Sequence, residues 1–435
     1  MKKIVVTLLI LAALSIPVFA GGGGQQGGAS SAPRDPNAPT TLTVWCWDPA
    51  FNIYAMREAE KIYKRTRPNV SLDVVETPWN DIQQKLITAF TANQTANLPD
   101  IALVQDNAIQ KNIMTYPDKF LPVNGKVDIS KFAQFKLDVG SYEGKNFGVP
   151  FDNGATGTFI RRDIVEQAGL KVEDFNDITW ERFIELGQIV KQKTGVTMLS
   201  TVANSPSFIM IGLQSAGSWF FKDDGTLYMK DNPALKSSLE VIRDMVNTGV
   251  LTMVQDNAAY IATFNSGTAA STINGCWILA SVVLEKAQAG KWALVNTPRL
   301  GKIPGSVNYS SQGGSGWVVL ANSRNPDAAF DFLDKTFAGS VELFETILES
   351  SGAISTWLPA GNSPVYSKPN DFFGGQKIFE DLVSYAGKVP KIKFGVFNYE
   401  ARDAAARALT DVLQGKSIDE ALDTAEKSVA FLMGQ

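Results

Sequence analysis

Asp48, Asp106, Asp152 and Asn153, with the indoles of Trp47, Trp79, Trp219, Trp277, Trp317 and Trp357, are the side chains that could converge on one cleft. Their chemistry matches a sugar. A sugar ring offers C–H faces that stack on aromatic rings, and a belt of hydroxyls that carboxylates and amides can bond in fixed geometry. Tryptophan is also a habitual core residue. Placement beside glycines, prolines and strand ends is what turns Trp47, Trp277 and Trp357 toward a cleft.

The same residues exclude other chemistry. Nine tryptophans are set against no histidine at all, which removes Ser-His-Asp and Cys-His catalysis, histidine general bases and histidine metal ligation. Two cysteines cannot build a structural zinc site, so neither a metal nor a cofactor is expected. Paired carboxylates could serve a secreted glycoside-active enzyme. No motif marks a glutamate of raised pKa, however, and an isolated aspartate at a strand end is ordinarily an acceptor or a helix cap, so no catalytic residue is assigned. Gly313-Gly314-Ser315-Gly316 precedes the strand Trp317 to Leu320 and lacks the Lys-Ser/Thr ending of a phosphate loop. Its glycines instead let another chain or a ligand come close. With 40 basic and 44 acidic residues the formal charge is −4, which argues against nucleic acid.

The elements that must position these groups are legible from periodicity. Thr41 to Trp47 alternates as a strand. Ile53, Met56, Ala59 and Tyr63 then recur at helical steps until Pro68, and Val70 to Val75 reads as a second strand. Trp79 to Phe90 reads as a second helix, and Ile101 to Val104 as a third strand. This alternation predicts a parallel sheet with right-handed crossovers and a ligand beyond the carboxyl ends of the strands. Trp47, Asp48, Trp79, Gln105, Asp106 and Asn107 lie near those ends. Val149-Pro150-Phe151-Asp152-Asn153-Gly154 reads as a hinge strand. Thr179 is expected to cap a helix that closes near Gly195, and a further helix spans roughly Pro233 to Asn247. Ser271 to Asn274 and Trp292 to Asn296 read as strands. A helix starts at Asn325-Pro326-Asp327, with Gly339 just past its end, and Ser417 to Glu420 is a capping box.

Residues 1–20 have the form of a secretory leader. Lys2 and Lys3 precede an apolar run that is short for a membrane span and contains Pro17, and Val18 and Ala20 suit leader peptidase. Gly21, not cysteine, follows the cut, so no lipid anchor is expected. Residues 21–40, rich in Gly, Ser and Pro, read as a flexible spacer. The protein is therefore expected outside the cytoplasm, in the periplasm of a two-membrane cell. Cys46 and Cys276 are expected to be free, buried thiols, because a bridge between them would staple two lobes together.

Leu42–Trp47, Leu98–Ile101, Gly144–Pro150, Ile178–Phe183, Phe264–Trp277 and Ser323–Ala329 resemble the extracytoplasmic solute-binding proteins of ABC importers. The similarity is to the carbohydrate-binding group (family 1) that includes maltose-binding protein. The Asn274-Gly275-x-Trp277 block after Phe264-x-x-Gly267 is the most specific of these stretches. The resemblance implies an α/β, type II periplasmic-binding-protein-like fold, with two discontinuous lobes joined by hinge strands and a cleft between them. Lobe 1 would be 41–152 plus 300–356, and lobe 2 would be 153–299 plus 357–435. By the same resemblance Trp47 and Asp48 follow the first strand, Gln105, Asp106 and Asn107 the third, and Asp152 with Asn153 lies at the hinge. Ser207 and Trp219 belong to lobe 2, Trp277 stacks on the sugar, and Gly313 with Gly314 offers backbone amides. Where the maltose binder has an aromatic, this sequence has Asn398 beside Tyr399. The implied partners are a small carbohydrate and the permease subunits of an ABC importer, the receptor itself being a monomer. The same fold holding a polyamine, peptide or metal would want a more acidic cleft, tyrosine clusters or histidines.

Overall fold

Alternation builds the first sheet. In the strand Thr40–Cys46, Leu42, Val44 and Cys46 turn inward and are fully buried. This strand pairs in parallel with Val70–Glu76 on one side and Ile101–Gln105 on the other, with the helices Asn52–Lys64 and Trp79–Thr91 as crossovers. The third strand is apolar along its length because both faces of the sheet are covered. Ile101 and Leu103 face one core with Trp317 and Val319, while Ala102 and Val104 face the other with Val318 and Leu320. The structure, a computed structural model, describes residues 38–435, so the expected leader and all but the end of the expected spacer lie outside the described residues.

The sheet is not purely parallel, as the sequence led us to expect. Ser315–Leu320 enters it antiparallel to Ile101–Gln105, and pairs on its other side with Val149–Asp152 and Phe120–Leu121. The reason is connectivity. The chain returns to this sheet directly from a second one, without a helical crossover to reverse its direction.

In that second sheet Thr156–Arg161 is central, flanked antiparallel by Ser271–Gly275 and Trp292–Val295. Phe159 and Leu294 face one core, while Ile160, Ala293 and Val295 face the other. The latter core also takes the helices Trp180–Thr194, Pro233–Asn247, Asn398–Leu413 and Ile418–Leu432. Thr179 caps the first of these through Arg182 N, and Gly195 ends it at φ +75°. The helix Pro326–Lys335 stops four residues before Gly339, which is not left-handed; at its end the Thr336 hydroxyl takes up the Phe332 carbonyl at 2.6 Å. Leu300 packs in the second assembly and Trp357 in the first, each across the division expected from sequence.

Three chain segments connect the assemblies, the third between Leu348 and Val365, where Ser355 bridges antiparallel to Asp152. Val149–Asp152 continues through Asn153-Gly154-Ala155 into Thr156–Arg161, and residues 310–315 return alongside. Thr156 N donates to Ser310 O at 2.9 Å, and Gln312 N to Gly154 O at 2.8 Å. Gly154 (φ +65°) lies so close to the return segment that a Cβ would stand 2.7 to 2.8 Å from Gly314 N, Gln312 O and Gly313 C. Cys46 and Cys276 are free and buried in different cores. Burial pushes each thiol up to about 12.

Candidate functional site

The residues read from the sequence do not gather in one place; they form three groups along the seam between the assemblies. The first surrounds Trp277, which follows the strand Ser271–Gly275 in a tight turn. Its ring is half-buried and packs against the cores of both assemblies, and its Nε1–H donates to Gln312 O at 3.0 Å. Gln312 Nε2 donates to Ser207 Oγ at 2.6 Å, while Gln312 Oε1 is buried without a partner. These residues, with Asn257, Tyr260 and Asn274, line a cavity of about 90 Å³. The Tyr260 hydroxyl is shared with Thr272 Oγ1 and accepts from Asn274 Nδ2 at 3.1 Å; burial raises the phenol, so it stays neutral. Every other lining group is an amide, a hydroxyl or apolar. The cavity lining is thus uncharged, and its amides and hydroxyls can hydrogen-bond a neutral, hydroxylated guest.

The second group is ionic and closed on itself. Asp106 opens the helix Asp106–Thr115, and its carboxylate oxygens lie 2.6 and 2.5 Å from Lys136 Nζ. Lys136, almost wholly buried, also reaches Ser315 O at 3.3 Å, and Ser315 Oγ donates to Asp152 at 2.6 Å. Burial pushes the Asp106 carboxyl up to about 6 against the pull of Lys136, and burial likewise raises Asp152. Gly314 (φ +84°) lies over the pair, and a Cβ there would come within 2.3 Å of Asp106 Oδ2. Gly313 (φ +95°) backs onto Trp277, and a Cβ there would stand 3.1 Å from the indole Nε1. These glycines are thus required by protein packing. The nearby polar candidates are also engaged locally: Asp48 Oδ1 accepts from Ala50 N and Phe51 N, and Asn153 Oδ1 accepts from Ala155 N.

The third group joins the helix Asn398–Leu413 to the first assembly. The Tyr399 hydroxyl lies 3.0 Å from Gln105 Oε1 and 3.1 Å from Asn107 Oδ1, and Asn398 Nδ2 donates to Asn107 O at 3.1 Å. Trp79 packs 6.0 Å from the Tyr399 ring, and the Arg402 guanidinium lies over both rings. Beyond Tyr399 is a groove of about 830 Å³ whose charged lining includes Asp81, Lys85, Lys111, Glu400, Arg402 and Asp403.

Three tryptophans are corrected. Trp357 is 5% exposed and stacks on Phe344 at 6.2 Å and 26°; its glycine and proline neighbours mark a turn, not a cleft. Trp219 is 2% exposed among Phe220 and Phe394, and its Nε1–H goes to Asn398 Oδ1 at 2.7 Å. Trp317 is wholly core. Trp47 stays half-buried at its strand end, packed against both faces of the first sheet. Sequence reasoning missed Lys136, Arg402 and Gln312. Only Gln312 carried a signal, as the polar residue abutting the Gly313-Gly314 pair.

Among the described residues no His, Cys, Asp and Glu cluster could hold a metal ion, and no helix is long and apolar enough to cross a membrane. Known proteins resemble both the sequence and the fold. The family description "Bacterial extracellular solute-binding protein" matches residues 58–374. A lactose-binding protein of Rhizobium radiobacter is 39% identical over 389 residues, covering 89% of this chain and 92% of its own. An arabinooligosaccharide-binding protein of Halalkalibacterium halodurans is 26% identical, covering 83% and 82%. The GacH receptor of Streptomyces glaucescens superposes with a TM-score of 0.77 at 19% identity, covering 91% of this chain and 99% of its own. With two α/β lobes, chain segments crossing between them and matches over most of its length, this chain belongs to the bacterial extracellular solute-binding proteins.

Proposed function

We propose that the protein is an extracytoplasmic carbohydrate receptor that shuts its two lobes on a neutral sugar and delivers it to the permease of an ABC importer without altering it. The observation that carries this reading is the uncharged cavity at the seam. Trp277 supplies an aromatic surface there, and the buried, unpaired Gln312 Oε1 is an acceptor waiting for a hydroxyl. A buried acceptor left empty is costly, so a sugar hydroxyl placed on it gains more than it would in water. Because Gln312 enters the cavity from the return segment while the rest of the lining belongs to the second assembly and Trp277, closure around a guest adds contacts that the open form lacks. The ligand then shifts the open–closed equilibrium by that difference in affinity.

The lobes divide near residue 152, near 315 and again between Leu348 and Val365, where core membership changes. The chain matures by cleavage after Ala20 and acts as a monomer. The 39% identity to a lactose-binding protein makes lactose the first sugar to test. Titration calorimetry should give saturable binding, and chromatography of the recovered sugar should return intact lactose. Absence of heat with lactose and with a panel of other neutral di- and trisaccharides would remove the reading, while appearance of monosaccharides would replace it with a glycosidase.

A further inference from the structure

Gln312 stands where the return segment meets the neutral cavity, and its main chain is held from two sides. Its N–H donates to Gly154 O at 2.8 Å, and its carbonyl accepts from the Trp277 indole at 3.0 Å. Gly275 closes over that carbonyl, since a Cβ on it would stand 2.4 Å from Gln312 O. The Gln312 side chain therefore leaves a fixed peptide beside the ring of Trp277. Its amide is held as well: Nε2 donates to Ser207 Oγ at 2.6 Å, and Ser207 Oγ in turn lies 2.8 Å from Ser205 Oγ. An amide has one donating and one accepting end, so engaging Nε2 decides what the other end offers. Among the described residues that line the cavity, Gln312 Oε1 is the one buried side-chain atom without a hydrogen-bond partner. Asn274 and Tyr260, by contrast, are committed to each other at 3.1 Å.

We propose that Gln312 is the specificity-determining residue of the cavity, and that Ser207 is the positioning residue that keeps its accepting end toward the guest. The inference rests on the carbohydrate reading above and deepens it by naming the group selected: a guest hydroxyl that donates its proton beside the face stacked on Trp277. A sugar carrying hydrogen, an ether oxygen or fluorine at that position leaves Oε1 buried and unpaired. The penalty for that unpaired acceptor is what separates such a sugar from the right one.

The test is a thermodynamic cycle on the full chain. The probes are lactose, or whichever saccharide of the panel above binds, with its monodeoxy and monofluoro analogues. In calorimetry wild type should bind one monodeoxy analogue roughly 10- to 100-fold more weakly than the parent sugar. Fluorine at the same position should not restore binding, because it cannot donate a proton. Gln312→Met should bring the parent sugar down to the level of that analogue and leave the analogue itself nearly unchanged, the mark of an interacting pair and not of two separate losses. In Ser207→Ala the amide is free to turn Nε2 inward, so the fluoro analogue should gain on the parent sugar, and Ser207→Thr, which keeps the hydroxyl, should restore the wild-type ratio. A purely structural Ser207 would weaken both sugars alike, and a ratio unchanged in Ser207→Ala would overturn its role. If every monodeoxy analogue binds wild type within about twofold of the parent, or the losses in the cycle simply add, the role of Gln312 is overturned and the carbohydrate reading stands. Absence of binding by any saccharide would remove the carbohydrate reading, and this inference with it.

Discussion

Residues 312 to 315 separate two regions with opposite electrostatics. On one side Gln312 serves a neutral cavity whose amides and hydroxyls include an acceptor with nothing to accept from. On the other, Gly314 and Ser315 cover Asp106, Lys136 and Asp152, where a buried ammonium bonds the first carboxylate and the Ser315 hydroxyl the second. The ionic side has strong groups and no spare capacity, and the neutral side has weak groups and spare capacity. A binding site is better recognised by unsatisfied hydrogen-bonding potential than by charge.

The largest way to break this contrast is Lys136→Met. It leaves two buried carboxylates uncompensated and should cost about 3–5 kcal/mol of folding stability, the scale of a broken buried ion pair. Equilibrium urea unfolding measures it, and a loss below about 1 kcal/mol would show the cluster to be wetter than its burial implies. Next is Trp277→Ala on the neutral side. It should weaken saccharide binding by more than about 1 kcal/mol, the scale of a lost aromatic contact, and unchanged affinity in calorimetry would remove Trp277 from the site. The smallest effect is that of pH. Asp106 has its folded pKa raised to about 6 from 3.8, so between those values the folded protein holds a proton that the unfolded chain has lost. Its contribution therefore falls as pH rises through about 4 to 6 and is constant above. The stability difference between wild type and Asp106→Asn should shrink across that window, while saccharide affinity stays flat from about pH 6.5 to 8. A bell-shaped affinity profile would move the ligand onto the ionic side.

Periodicity made the elements legible. The strand at Leu42, Val44 and Cys46, the helix at Met56, Ala59 and Tyr63 and the Thr179 cap all follow from local sequence because each depends on neighbours within a few positions. The antiparallel entry of Ser315–Leu320 was not legible, because direction in a sheet depends on where the chain has been and not on the strand's own residues. At the site, residue type misled where satisfaction mattered. Asp106 and Asp152 looked like acceptors for a ligand, but Asp106 is paired with Lys136, on a short helix with no distinguishing pattern, and Asp152 with the Ser315 hydroxyl. Trp357 shares its turn residues with a cleft and its surroundings with a core. Trp277 and Ser207 were read as cleft residues, and they do line one cavity, joined through Gln312, a residue that had drawn no notice.

Gly154 adds a consequence for how this molecule can evolve. The atoms its missing Cβ would meet are all main-chain, from Gln312, Gly313 and Gly314. A crowded side chain can be trimmed by a second substitution elsewhere, whereas a crowded peptide cannot, since every residue type carries the same one. Saturation mutagenesis should accordingly find suppressors for damaged positions in either core, but no intragenic rescue for any replacement of Gly154.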